Sequence, residues 1–293
     1  MPTPPFPFYA SVANLKLLAP IFDLGQGLAL RQQYSYIFSA PMLAFKKPDM
    51  PGMSTPGPWR AVASGYHHEA EVELSIPAAY RHPKLAHSEV ARVLVILMRL
   101  QLDPRILMLV VADTSFADMA SAEAGAANTR EVHHRHFQLG LLNDPNVAGA
   151  LPWVRDYWPI AADLFASNAA FRLAMETFEE GQFVQSSAMA LVSIWGALEA
   201  LFVSEKTELS FRLSVYLATY LKPNGLERLA LQKKVSKLYG KRSAAAHGIP
   251  KHEPADITES FVLLRDAIVA IIVQGKAPTR ADLDELLLGG KGL

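Results

Sequence analysis

Cysteine is absent from all 293 residues, which excludes disulfides, thiolate metal sites and a cysteine nucleophile. Net charge is absent as well: 28 Lys and Arg meet 28 Asp and Glu, so a chain that grips polyanions along its whole length is ruled out. The longest apolar runs are Val93–Met98, Ile106–Ala112 and Ala267–Val273. Each falls far short of the roughly 20 residues a helix needs to cross a bilayer. The opening Met1-Pro2-Thr3-Pro4-Pro5-Phe6-Pro7 has no basic residue before an apolar stretch and does not read as a secretory signal. A soluble cytoplasmic protein with no membrane partner is expected. No Gly-x-Ser-x-Gly elbow or P-loop occurs, and Gly25-Gln26-Gly27 is followed by Leu28-Ala29-Leu30, which breaks the dinucleotide-binding pattern at its third glycine. Serine hydrolases, P-loop NTPases and Rossmann dehydrogenases are disfavoured on these grounds.

What is present is apolar substance: 51% hydrophobic against 19% charged residues, enough to bury a core in each of about two domains at roughly 150 residues apiece. Half of the 20 prolines lie in the first 58 residues, and Lys46 to Pro58 holds four of them with two glycines, so helices there must be short and that segment is a loop. Gly27 to Phe38 and Ala61 to Ile76 read as strands, Ser88 to Leu100 as a helix, and Arg105 to Ala112 as a buried strand. Residues 1–145 are therefore expected to form an α/β or α+β domain.

After Asn143-Asp144-Pro145-Asn146 the prolines thin and apolar residues fall at spacings of three and four. Helices are expected over Pro152–Phe165, Asn168–Glu180, Ser186–Val203, Glu208–Leu221, Leu226–His247 and Ile257–Gln274, with Asn168, Ser186 and Thr207 as N-caps. Gly181, Gly248 and Gly275 sit where a left-handed residue ends a helix. A short last helix, Arg280–Leu288, follows Thr279 with Asp282 three residues on, a capping-box pattern. Residues 146–293 are expected to form an all-α antiparallel helical bundle.

Local charge departs from the global balance. From Glu205 to Lys251 ten basic residues face three acidic ones, a net of +7. An anion, most simply a chain of phosphates, is the natural partner of such a stretch, although a solvated face balanced by acids elsewhere has the same signature. Inside it lies Leu238-Tyr239-Gly240-Lys241-Arg242-Ser243-Ala244-Ala245-Ala246-His247-Gly248. Arg242 and His247 are separated by about 140° on a straight helix. They can line a wide cleft, or meet the same pair of a second protomer across a two-fold axis. The helix dipole favours imidazolium at His247, while Arg242 and Lys241 oppose it. One His and one Arg suffice to move a proton and stabilise a phosphorane, so RNA cleavage by its own 2′-hydroxyl needs no metal or other cofactor here. The structural alternative is a histidine at a helix C-terminus and an arginine paired to Glu199.

The segment Ile194-Trp195-Gly196-Ala197-Leu198-Glu199-Ala200-Leu201-Phe202, then Arg212, then Leu238 to Ser243 leading to His247-Gly248, resembles the HEPN superfamily, particularly its ApeA-like branch, over about residues 165–275. The resemblance implies a HEPN-like helical bundle, often a homodimer, and in many members a metal-independent endoribonuclease, among them RNA-controlling toxins and phage-defence proteins. It assigns Arg242 to phosphate binding and transition-state charge, His247 to proton transfer, Ser243 to the polar position after the arginine, and Glu199 to orienting Arg242. Lys234, Lys237, Lys241 and Arg212 are the expected RNA contacts. Alanines fill the interval between Arg242 and His247, where relatives carry bulkier residues. The same superfamily includes non-catalytic RNA-binding and signalling modules, so a ligand-sensing protein that uses the bundle to dimerise is the rival expectation.

Histidine also gathers at His67-His68 and at His133-His134-Arg135-His136. The i, i+3 pair His133 and His136 could hold a divalent metal, but Arg135 intrudes and no HExxH context is present, so no metal site is expected. Trp153, Tyr157 and Trp158 read as core or interface packing rather than a base-stacking platform.

Overall fold

The computed structural model describes residues 6–38, 42–44, 50–52, 60–63, 67–119, 125–131, 147–203, 208–248 and 252–289. Most of the proline-rich loop 46–58, Thr207 and the histidine cluster 133–136 lie outside the described residues. The chain divides into two compact units, one made of 1–80 with 107–132, the other of 81–106 with 133–293.

The first unit is a sheet. Strands β1 (Phe8–Ala13), β2 (Ile21–Gly25), β3 (Leu28–Phe38), β6 (His67–Ile76), β7 (Leu107–Ala112) and β8 (Ala127–Thr129) lie in the order β2-β3-β6-β1-β7-β8, and every pairing is antiparallel. A separate pair, β4 (Met42–Ala44) and β5 (Arg60–Ala63), is also antiparallel. Of the expected α/β or α+β classes, the antiparallel sheet excludes a parallel α/β arrangement for the described strands, and the helix expected among them groups with the second unit. The stretch read as strand from Ala61 to Ile76 holds two strands, β5 and β6, and β1 and β2 lie in the proline-rich start of the chain, where the sequence limited helices but placed no strand. Alternation explains the sheet: Ala10, Val12, Leu28, Leu30, Ala70, Val72, Leu74 and Ile76 point to one fully buried face, while Arg31, Glu69 and Glu71 point to the other and are exposed. Strand β7 is buried at every position, as its unbroken aliphatic run requires.

The second unit is helical: α1 (His87–Gln101), α2 (Val147–Ser167), α3 (Ala169–Glu180), α4 (Ser187–Phe202), α5 (Leu209–Leu221), α6 (Leu226–Ala246), α7 (Pro254–Gln274) and α8 (Arg280–Leu288). Although α1 lies in sequence between β6 and β7, it belongs to this unit and packs on α2 and α3. Arg99, fully buried on α1, donates from Nε to the Ile106 carbonyl (2.8 Å) and lies 3.7 Å from Glu179 of α3; Arg92 of α1 also binds Glu179 and Glu176. Arg265 of α7 donates to the Leu100 carbonyl at the end of α1 (2.8 Å).

Local signals hold at several ends. Asn168 and Ser186 accept from Phe171 and Met189 as N-caps, and Thr279 and Asp282 form the capping box that starts α8. Gly248 and Gly275 adopt φ of +73° and +71°. Gly181 does not: at φ −58° it continues into a 3-10 turn, Gly181–Phe183. Its missing Cβ has a different cause, since a methyl there would stand 2.5 Å from the buried Phe261 ring. Helix α2 starts at Val147, so that Pro152 falls inside it; α7 starts at Pro254 rather than Ile257, because proline with its fixed φ suits the first helical position. The bundle is not wholly antiparallel. Ser187 meets His252 and Trp195 meets Ser260, so contacts rise together along α4 and α7, and these two helices run in the same sense.

Two substitutions test this packing. Gly181→Ala will cost about 1–3 kcal/mol through overpacking against Phe261, read by denaturant unfolding, and the loss will shrink in a Phe261→Leu background. Glu179→Ala will cost about 3–5 kcal/mol, because it leaves buried Arg99 without its carboxylate; a loss below about 1 kcal/mol would show that the cluster is not a structural tie.

Candidate functional site

Helix α6 is 21 residues long, yet buries only Val235, Leu238, Tyr239 and Ala245. At about 100° per residue, these four and Arg242 share the inward side. Arg242 Nη2 stands 3.0 Å from Glu199 Oε1 of α4, and the Tyr239 hydroxyl donates to the same oxygen at 2.9 Å. The guanidinium lies 5.4 Å from the Tyr239 ring centroid, and Tyr239 meets Trp195 edge-on at 5.5 Å. The Trp195 indole N–H donates to Ser260 of α7 (3.1 Å), which in turn donates to the Asp256 carbonyl (2.7 Å). Glu199 thus engages Arg242, and the Tyr239 hydroxyl binds the same carboxylate. The role of Tyr239 was not assigned from the sequence, although its place three residues before Arg242 makes the two neighbours on one helix. Arg242 Nε is buried without a hydrogen-bond partner among the described residues.

His247 is elsewhere. It caps α6 at φ −93° and ψ 14°, its backbone N–H bonded to the Ser243 carbonyl (3.2 Å), and its side chain is exposed. Among the described residues the imidazole has no hydrogen-bond or ion-pair partner. His247, Lys233 and Lys237 fall within about 80° of one another around α6, while Arg242 lies about 140–180° from each. The structure therefore does not bring Arg242 and His247 together within one chain. Ser243 is half-buried between them.

Folding spends much of the local positive charge. Lys234 pairs with Glu259 (3.5 Å), Lys241 with Asp256 (3.7 Å) and Lys222 with Glu227 (3.3 Å). Arg212 is half-buried on α5, where its charge acts on Tyr216 and Asp284. Of the expected RNA contacts, Lys237 alone stands exposed and unpaired among the described residues, and Lys233, which the sequence did not single out, joins it on the face of His247.

No protein-family model, curated protein or solved structure matches the chain. The site is therefore argued from its own residues. Among the described residues no group of three His, Asp or Glu side chains is placed to hold a metal ion, and no helix is long and apolar enough to cross a membrane. His133 and His136 lie outside the described residues. Trp158 is buried in α2, where Trp153 and Tyr157 stack at 4.8 Å.

Burial first, then the hydrogen bond and charge of Glu199, push the Tyr239 phenol up to about 12, with Arg242 opposing. The unfolded chain releases that proton near the ordinary tyrosine value of 10.0. Stability is therefore full below pH 10 and falls as pH rises toward 12. Tyr239→Phe will lower stability by about 0.5–1.5 kcal/mol at neutral pH and remove part of this alkaline loss, as urea melts at pH 8, 10 and 11.5 will report.

Proposed function

We propose that the helical unit is an ApeA-like HEPN domain and that the protein is a metal-independent endoribonuclease, of the kind used in toxin-like RNA control or phage defence. The observation that carries this reading is the exposed His247 imidazole, without a hydrogen-bond or ion-pair partner among the described residues, on the same side of α6 as the exposed Lys237 and Lys233, which lie about 15 and 21 Å back along the helix axis. A proton-transfer group at the end of the helix and cationic contacts for neighbouring phosphates along it would then serve one RNA strand laid along α6. Arg242, aimed by Glu199 and Tyr239, supplies the charge that stabilises the phosphorane, and Ser243 is the polar group between. The angular split along α6 turns the two groups to different sides of one chain. The reading therefore takes a homodimer, in which His247 of one protomer works with Arg242 of its partner, as its arrangement.

A second reading is favoured by one specific observation, the engagement of Arg242 by Glu199. In it the same face binds RNA without cutting, through Lys233 and Lys237, and the bundle serves as a dimerisation module.

Cleavage of total tRNA and of mixed-sequence RNA in EDTA separates the two. The nuclease reading expects cutting by wild type and at least a hundredfold loss in His247→Ala and in Arg242→Ala, each melting near wild type, with partial recovery when the two variants are mixed. Binding without cutting, with affinity that falls on Lys233→Ala and Lys237→Ala and a shallower salt slope, would replace it with the binding module. Absence of both would remove RNA from the account.

A further inference from the structure

Outside the helical site, the first unit contains a cleft of about 570 Å³ over the polar face of its sheet. Its floor is set by register. Arg31 of β3 lies directly across from Glu73 of β6, and Ser75 one pleat further on lies across from Tyr9 of β1. Ser115 and Asp118 close one side, and Ile21 gives an apolar wall.

The chemistry centres on Glu73. Its residue is 2% exposed. Ser115 Oγ donates to its Oε2 at 2.9 Å and the Phe116 N–H to the same oxygen at 2.7 Å, while Oε1 receives only the longer 3.2 Å contact from Ser115. Among the described residues Glu73 has no counter-ion. A buried carboxylate without one is costly, and a cation that reaches it is held strongly. Arg31, exposed, has no ion-pair partner among the described residues either. Two carboxylates, Glu73 and Asp118, line the cleft against one guanidinium, Arg31, so its charge balance is negative, and after burial the same two carboxylates push the Tyr9 phenol up. That balance disfavours phosphates and dianions.

We propose that this cleft binds a free α-amino acid, its ammonium at Glu73 Oε1 and its carboxylate at Arg31. Arg31 and Glu73 are cross-strand partners, with Cα atoms about 5 Å apart, so both side chains can reach an ammonium and a carboxylate carried on one carbon. The Tyr9 hydroxyl and Asp118 flank the ammonium. The volume exceeds that of the head group, so a sizeable apolar side chain lies along Ile21. This inference is independent of the nuclease reading.

Titration calorimetry of the full chain with pooled L-amino acids tests it, beside their N-acetyl forms (no ammonium), their amides (no carboxylate) and AMP. The expected result is saturable binding of an apolar amino acid, at least tenfold weaker when either charge is blocked and at least tenfold weaker in Glu73→Gln and Arg31→Ala. Arg31→Ala should leave the amide's weak binding unchanged, since the lost partner is the carboxylate; this comparison decides the matter if Glu73→Gln melts too early to titrate. No binding by any amino acid, equal binding of blocked and unblocked forms, or tighter binding of AMP would overturn the proposal.

Discussion

The carboxylate of Glu179 ties the helical unit to a helix that the chain order places among strands. Helix α1 lies in the connection between β6 and β7, two strands that run in the same direction on either side of β1. It is apolar on nearly every side, with Val90, Ala91 and the run from Val93 to Leu100 buried. Apolar surface has no directional preference, so burial alone leaves the rotation of α1 undetermined. Two arginines settle it. Arg92 and Arg99 are seven residues apart, on one side of α1, and both reach Glu179. A buried charge demands its partner in place, so any turn of α1 against α3 strands Arg99.

The same principle organises α6. Five inward residues, Val235, Leu238, Tyr239, Arg242 and Ala245, seat it, and one of them is charged. The carboxylate of Glu199 receives both that charge and the Tyr239 hydroxyl, and the chain of contacts continues through Trp195 to Ser260. The opposite side is left to solvent, where His247, Lys233 and Lys237 stand without partners among the described residues. The neutrality of the whole chain is thus reproduced locally: acids of α4 and α7 neutralise Arg242, Lys234 and Lys241, and what survives is a small basic face. A count along the sequence overstates that charge because it includes residues whose counter-ions are distant in the chain and near in space.

The sheet divides its two faces by the same logic. Apolar residues at alternate positions fill one, and the other keeps Arg31, Glu73 and Tyr9, of which Glu73 is buried by the turn at Ser115 and Phe116. The alternation in Glu71-Val72-Glu73-Leu74 is legible in the sequence. That one of those two glutamates is covered and the other exposed is not, because the covering turn comes more than 40 residues later.

By itself the sequence determined the elements that local chemistry governs. The caps at Asn168, Ser186 and Thr279, the left-handed glycines 248 and 275, the aliphatic strand ending at Ala112 and the helical texture after residue 146 all follow from side chains acting on their own backbone, within a few residues. The tertiary structure decided the rest. It assigned α1 to the helices, replaced a helix-ending role for Gly181 with room for Phe261, ran α4 and α7 in one sense, and turned Arg242 inward and His247 outward. Each of these depends on contacts between residues far apart in the chain, and neither spacing nor propensity encodes which distant side chain completes a buried charge.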